Sequence, residues 1–355
     1  MIGHAYLKAA HQINKLRFRP AMLAKIASGY FNTLVLRKTV LRVVDISINT
    51  ACQSKCNYCY AESFKQSGAQ LMTVKEIGEM WRQATAMGAF SALVLGGEPT
   101  LRQDFLDIIS TLEPKKNLVT FTTNGISLTE EIVRELKRLG VFLVNISIDS
   151  TDPALNDRRR GYLGHFEAAL KAVELCRKYG LDVCVPVVTS KSHLQETMKM
   201  IEFGKKHGFT VTMNLLSLQG RAKKERADQF DAEFWEALCE LYAKNPGLRA
   251  DFDLNFTMKV QCPAGYERVH IAPFGDVTGC SLQSVSFGNI REEPLADIVA
   301  RMREFKHFKK RSSRCLIAMD DEYIEDYQMI ASEQPVTPYP VTKIEALRQA
   351  DGPKE

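Results

Sequence analysis

The chain has 355 residues, enough for one large α/β unit of about 200–250 residues with a smaller appendage and too many for a disulfide-stapled miniprotein. Hydrophobic residues make up 45% and charged residues 25%, which excludes disordered, collagen-like and fibrous chains. The formal net charge is +5, yet residues 1–44 hold Lys8, Lys15, Arg17, Arg19, Lys25, Arg37, Lys38 and Arg42 with no acidic residue, so the remainder is net negative. No apolar run reaches the roughly 18 residues that cross a bilayer, and no signal-peptide pattern opens the chain, so a cytoplasmic protein is expected. Nine cysteines in that setting point to metal or redox chemistry rather than to disulfides.

In chain order, residues 1–42 read as a basic helical arm, with Pro20 and Gly29 as breakers and a loose apolar stripe through Leu7, Ile13, Leu16, Met22, Leu23 and Ile26. Such an arm suits anionic lipid, an acidic substrate or a simply solvated face; no specific nucleic-acid binding is expected. From Val43 the pattern changes to short β-branched runs alternating with helical segments, the signature of βα units around a parallel sheet. Strands are expected at Val43–Asn49, Ser91–Gly96, Leu118–Thr122, Phe142–Ile148, Asp182–Val188 and Thr210–Leu215, with helices near 74–87, 102–112, 129–139, 164–179 and 194–207. Six units make a partial (βα)6 TIM-type barrel over residues 43–220, because 221–260 turns charged and helical and reads as a linker. Residues 261–316 are rich in Cys and Gly and poor in long apolar runs, as in small units held by a metal, and 317–355 reads as a tail with a short helix near Ile344–Arg348.

The first expected strand runs into Cys52-Gln-Ser-Lys-Cys56-Asn-Tyr-Cys59. In a parallel barrel that loop lies at the C-terminal mouth, where active sites are built, and three thiols this close suit three corners of an iron–sulfur cube with the fourth iron left open. A zinc site and a CxxC redox pair are the alternatives, and neither accounts for Cys52.

This CxxxCxxC, with Tyr58 before its last cysteine, resembles the signature of the radical S-adenosylmethionine (SAM) enzymes. Gly96-Gly97-Glu98-Pro99 at the end of the second strand looks like that family's GGE motif, which implies a receptor for the SAM amino group. Asn124 after the third strand, Asn145, Ser147 and Asp149 along the fourth, and Arg160-Gly161 resemble the polar segments around SAM, the arginine being similar to one that meets the SAM carboxylate. The resemblance implies a 4Fe-4S cluster, SAM, a one-electron donor such as flavodoxin or ferredoxin, and a 5′-deoxyadenosyl radical that takes hydrogen from a substrate.

Cys262-x12-Gly275-x4-Cys280, followed by Cys315, resembles the SPASM and twitch extensions of the same superfamily, though the further cysteines of a full SPASM run are missing. This implies one auxiliary 4Fe-4S cluster on Cys262, Cys280 and Cys315, with the fourth ligand open among Asp320, Asp321, His307 or none. Tyr58, Asp149 and Tyr266 are candidates for a second hydrogen donor or base, and Cys176, Cys184 and Cys239 read as buried structural thiols. The substrate is expected to be a small metabolite or a lipid- or isoprenoid-like molecule. Ribosomal-peptide maturation and a non-catalytic iron–sulfur or zinc protein are the other readings.

Overall fold

The computed structural model describes residues 20–350 except 65, 67, 223–230, 246–247, 251–260, 310–311 and 314. The part of the basic arm carrying Lys8, Lys15, Arg17 and Arg19 lies outside them.

Six parallel strands follow the β-branched runs closely: β1 Val43–Ser47, β2 Ser91–Leu95, β3 Leu118–Thr123, β4 Leu143–Ile146, β5 Val183–Thr189 and β6 Thr210–Leu215. The crossover helices Val74–Ala86, Phe105–Thr111, Glu130–Leu139, His165–Lys178 and Leu194–His207 match the 3.6-residue apolar periods. Thr73 and Glu76 close a capping box on the first, and Gly140 ends the third in the left-handed conformation at φ 89°.

The sheet is wider than six strands. Its order is β7-β6-β5-β4-β3-β2-β1-β8-β9, where β7 is Arg249–Ala250, β8 is Arg268–Ile271 and β9 is Val277–Thr278. β8 pairs parallel with β1, Val43 opposite Arg268 and Ile46 opposite Ile271, and β9 returns antiparallel to β8. The Cys/Gly-rich segment therefore extends the barrel's own sheet. A separate two-stranded sheet joins Val285–Ser286 to Tyr339–Pro340. One buried apolar cluster runs from Val44, Ile46 and Val94 in the barrel to Leu295, Met302, Phe305 and Phe308 beyond it.

Three expectations need correction. Gly29 does not break the arm: Pro20–Leu34 is one helix, because Met22 packs on Phe90 with Ile26, Tyr30 and Leu118 around them, which outweighs the roughly 1 kcal/mol an interior glycine costs. The C-terminal stretch is no tail, since Tyr323, Ile324, Tyr327, Ala331, Val341 and Ile344 are buried in a helical run ending in Val341–Ala350. A short polar helix, Pro153–Arg160, was not expected; Asp152 caps it, accepting from the amides of Ala154 and Leu155 at 2.8 and 3.1 Å.

Candidate active site at the barrel mouth

Ser47 ends β1, so Cys52, Cys56 and Cys59 lie on the loop at the C-terminal end of the strands. Backbone bonds from distant parts of the chain fix that loop. Lys55 N donates to Arg160 O at 3.1 Å and Asn57 N to Arg159 O at 3.0 Å, which docks the end of helix Pro153–Arg160 beside the thiols. From the exit of β6, Arg221 N donates to Cys59 O at 3.2 Å and Arg221 Nη1 to Cys56 O at 2.9 Å. Two glycines permit this approach: a Cβ on Gly161, at φ 60°, would stand 2.4 Å from Lys55 O, and one on Gly220, at φ 56°, would stand 2.0 Å from Cys59 O. Arg159, Gly220 and Arg221 escaped the sequence reading, because nothing near them in the chain signals that they meet a loop more than 90 residues away.

Behind the loop sits a buried charged group. Asp149 is fully buried; it accepts from the Tyr58 hydroxyl and forms an ion pair with Arg160 at 2.8 Å. The Arg160 guanidinium in turn places Nη1 3.8 Å from Cys56 Sγ, and both it and Arg159 lie over the Tyr58 ring at 5.5 and 5.1 Å. Burial alone raises a carboxyl, but Arg160 and Arg159 overcome it and hold Asp149 below its ordinary range, whereas burial drives Tyr58 well above its own. Arg160 therefore has a carboxylate partner through Nε and stands beside Tyr58 and Cys56.

The Gly-Gly-Glu segment is equally committed. Gly97 N donates to Asn49 O at 3.0 Å and Glu98 N to Ala51 O at 2.7 Å, while Asn49 Nδ2 donates to Glu98 O at 2.8 Å. A Cβ on Gly96 would meet Asn49 Oδ1 at 2.3 Å, and one on Gly97 would meet Ala51 O at 2.3 Å. The Glu98 carboxylate, 1% exposed, takes hydrogen bonds from Thr100 Oγ1 at 2.6 Å, Thr123 Oγ1 at 2.7 Å and the Asn124 amide at 2.7 Å. Its role in this geometry is to tie the ends of β2 and β3 together. Asn124 reaches the mouth itself, with Nδ2 3.0 Å from Gln53 Oε1 and 3.8 Å from Cys52 Sγ. Ser147 lies just past β4, its amide bonded to Thr123 O at 3.0 Å.

Tyr266 is not at this mouth. It lies in the turn before β8, whose start pairs with the start of β1 and so marks the opposite end of the barrel. Cys262 precedes the same turn, and Cys280 follows β9 back toward that end. Cys262 N donates to Ser312 O at 2.9 Å, and the Cys262 sulfur faces the amide of Leu316, next to Cys315. The two cysteine sets thus flank β1, which is about 13 Å long at ~3.3 Å per residue. Between them Ser47 Oγ and His270 Nε2 are 2.9 Å apart, and burial pulls His270 down to about 3.

Burial pushes the Cys52 thiol up to about 11 and raises Cys59, Cys262 and Cys280 as well, so bound iron would displace their protons. Among the described residues, no three His, Cys, Asp or Glu side chains converge as tightly as a single ion requires. A four-iron cube is wider than one ion and takes its thiolates at separate corners. The donor set fits it, with three thiols offered at each site. Cys176 and Cys184 are buried, and Cys239 is half-buried.

The radical SAM superfamily model matches residues 46–204, and the SPASM iron-sulfur cluster-binding domain model matches residues 262–318. The chain belongs to the radical SAM superfamily. It is an enzyme of that superfamily with a SPASM-type extension, which gives it a 4Fe-4S cluster, SAM, auxiliary iron–sulfur binding and the need for a reductant. It is similar to the AdoMet-dependent heme synthase of Methanosarcina barkeri, 24% identical over 77% of this chain and 88% of that one. It is also similar to the sporulation killing factor maturation protein SkfB of Bacillus subtilis, 25% identical over 76% of this chain and 68% of that one. In fold it resembles Streptococcus suis SuiB in complex with its precursor peptide SuiA, with a TM-score of 0.60 at 18% identity, covering 75% of this chain and 67% of that one.

Proposed function

We propose that Cys52, Cys56 and Cys59 hold the SAM-binding 4Fe-4S cluster, that Cys262, Cys280 and Cys315 hold an auxiliary one, and that the substrate is a small metabolite entering the mouth. The observation that carries the reading is the placement of the three thiols at the strand ends, backed by the Tyr58–Asp149–Arg160 group. When bound, cluster and SAM supply a 5′-deoxyadenosyl radical. The chain's own share is to orient Cys56 through Arg160, to fix the loop through Arg221 and to keep the strand ends closed through Glu98, which holds water and stray hydrogen donors away. Similarity to the heme synthase over most of both chains favours a metabolite.

Peptide maturation is the second reading, favoured by the similarity to SkfB and by an open cleft of about 610 Å3 lined by Gln66, Asp276, Asn289, Arg301, Tyr339 and Lys343. The experiment incubates the reduced enzyme and SAM with small-metabolite, peptide and lipid fractions of a deuterated extract. Deuterium in 5′-deoxyadenosine from the metabolite fraction alone supports the first reading; from the peptide fraction alone, the second. Failure to cleave SAM contradicts both.

The arm has a different part. Its helix packs at the barrel end away from Cys52–Cys59, so it is badly placed to hold a substrate headgroup at the mouth. Lys25 is spent on Asn117 Oδ1 at 2.7 Å. In the last turn of the helix and just past it, Phe31 and Val35 are 55% and 61% exposed, with Leu34 and Leu36 beside them and Arg37 and Lys38 following. No described helix is long and apolar enough to cross a membrane. This patch instead suits peripheral contact with an anionic bilayer, where each basic side chain adds about 1 kcal/mol. The combined variant Phe31→Ser/Val35→Ser/Arg37→Gln/Lys38→Gln is expected to lose at least tenfold in binding to phosphatidylserine vesicles, read by co-sedimentation. Undiminished binding would remove the patch from any membrane role. Flavodoxin or ferredoxin is the proposed reductant.

A further inference from the structure

A four-iron cluster on the three cysteines of the second site would leave one iron without a cysteine ligand, and the sequence offered Asp320, Asp321 and His307 as neighbours. The structure spends Asp320 otherwise: its carboxylate caps the following turn, accepting from Tyr323 N at 2.8 Å, and lies 3.8 Å from His307 Nδ1. Tyr323 packs close to the cysteine turns instead, its ring against Phe308, which itself lies against Gly279 next to Cys280. It is completely buried, and its hydroxyl has no hydrogen-bond partner among the described residues. Burial holds its proton on well above the ordinary tyrosine range, so the group is an O–H donor with no acceptor among the described residues.

Packing explains how it gets there. The Tyr323 ring stacks on Tyr327 at 6.0 Å and meets His307 edge-on at 5.3 Å and Phe308 at 6.5 Å. Phe308 lies against Gly265 and Gly279, where a Cβ would stand 2.9 and 2.8 Å from its ring; these glycines are three residues after Cys262 and one before Cys280. A π-helix, Ile324–Met329, follows directly and turns Gln328 onto Gln219 Oε1 at 3.0 Å and the Ser284 amide at 3.0 Å, anchoring the segment on the far side. A buried hydroxyl held so firmly with nothing to bond is costly unless an acceptor fills the space before it.

We propose that Tyr323 donates its phenolic hydrogen to a sulfur of the cluster held by Cys262, Cys280 and Cys315, and thereby raises the reduction potential of that cluster. The inference rests on the reading that these cysteines hold iron. A hydrogen bond to cluster sulfur stabilises the reduced, more negative state, and bonds of this kind are among the protein's levers on potential.

The test uses full-length Cys52→Ala/Cys56→Ala/Cys59→Ala protein, reconstituted so that only the second site is loaded, with and without Tyr323→Phe. Iron content is expected to stay at about four per chain. Reduction is expected to become about tenfold less favourable, about 59 mV for one electron. An exchangeable deuterium coupling to the reduced cluster, present in heavy water, is expected to vanish with the hydroxyl. An unchanged potential and coupling would overturn the proposal, as would loss of iron in Tyr323→Phe, which would make the residue a ligand. Absence of iron before Tyr323 is changed would instead overturn the assignment of the cysteines.

Discussion

Replacing Asp149 with asparagine is expected to cut SAM cleavage about a hundredfold and to destabilise the fold by roughly 3–5 kcal/mol, because it leaves Arg160 charged and unpaired in the interior. The carboxylate holds three things at once: the Tyr58 hydroxyl, the Arg160 guanidinium and, through Arg160, the Cys56 sulfur. Displacement of a reacting group by about 1 Å costs on the order of a hundredfold in rate. A double variant separates the two effects. Asp149→Asn with Arg160→Met removes both charges and is expected to regain most of the stability while SAM cleavage stays low. Thermal unfolding and 5′-deoxyadenosine formation check the pair. Full stability in Asp149→Asn alone would show that the ion pair is not needed.

Gly97→Ala is the second substitution with a large expected effect. The added methyl would stand 2.3 Å from Ala51 O and 2.6 Å from Thr50 O, and both atoms belong to the backbone that leads into Cys52. Neither can swing aside, since Glu98 N already holds Ala51 O at 2.7 Å. Iron loading at the first site and SAM cleavage are both expected to collapse. Gly96→Ala is expected to be milder, because its nearest obstacle is the Asn49 side-chain oxygen, which can move. Iron content of the two variants gives the ranking; equal loading would contradict it.

Both substitutions fall on residues that the sequence brought forward, and the contrast with the residues it missed is instructive. Cys52, Cys56, Cys59 and the Gly-Gly-Glu run are legible because their chemistry is written in short spacing, and the six barrel strands because buried parallel strands are continuous apolar runs. Gly220 and Arg221 act across more than 150 residues of chain, where spacing carries no information. Helix Pro153–Arg160 is short, with three consecutive arginines and little apolar periodicity, so only its cap and its docking on the cysteine loop reveal it. β8 and β9 are four and two residues long and gain their place by pairing, β8 with β1 and β9 with β8. The surroundings of Glu98 and Arg160 are illegible for a related reason: a motif names the residue, and only the fold shows neighbours such as Thr123, Asn124 and Asp149.

The most direct measurement of the account is iron and sulfide per chain after anaerobic reconstitution, in the unaltered protein and in Cys52→Ala/Cys56→Ala/Cys59→Ala. Sets of thiols at opposite ends of β1 load independently, so the account predicts about eight irons falling to about four. About four falling to none would contradict it and would leave Cys262, Cys280 and Cys315 without a cluster.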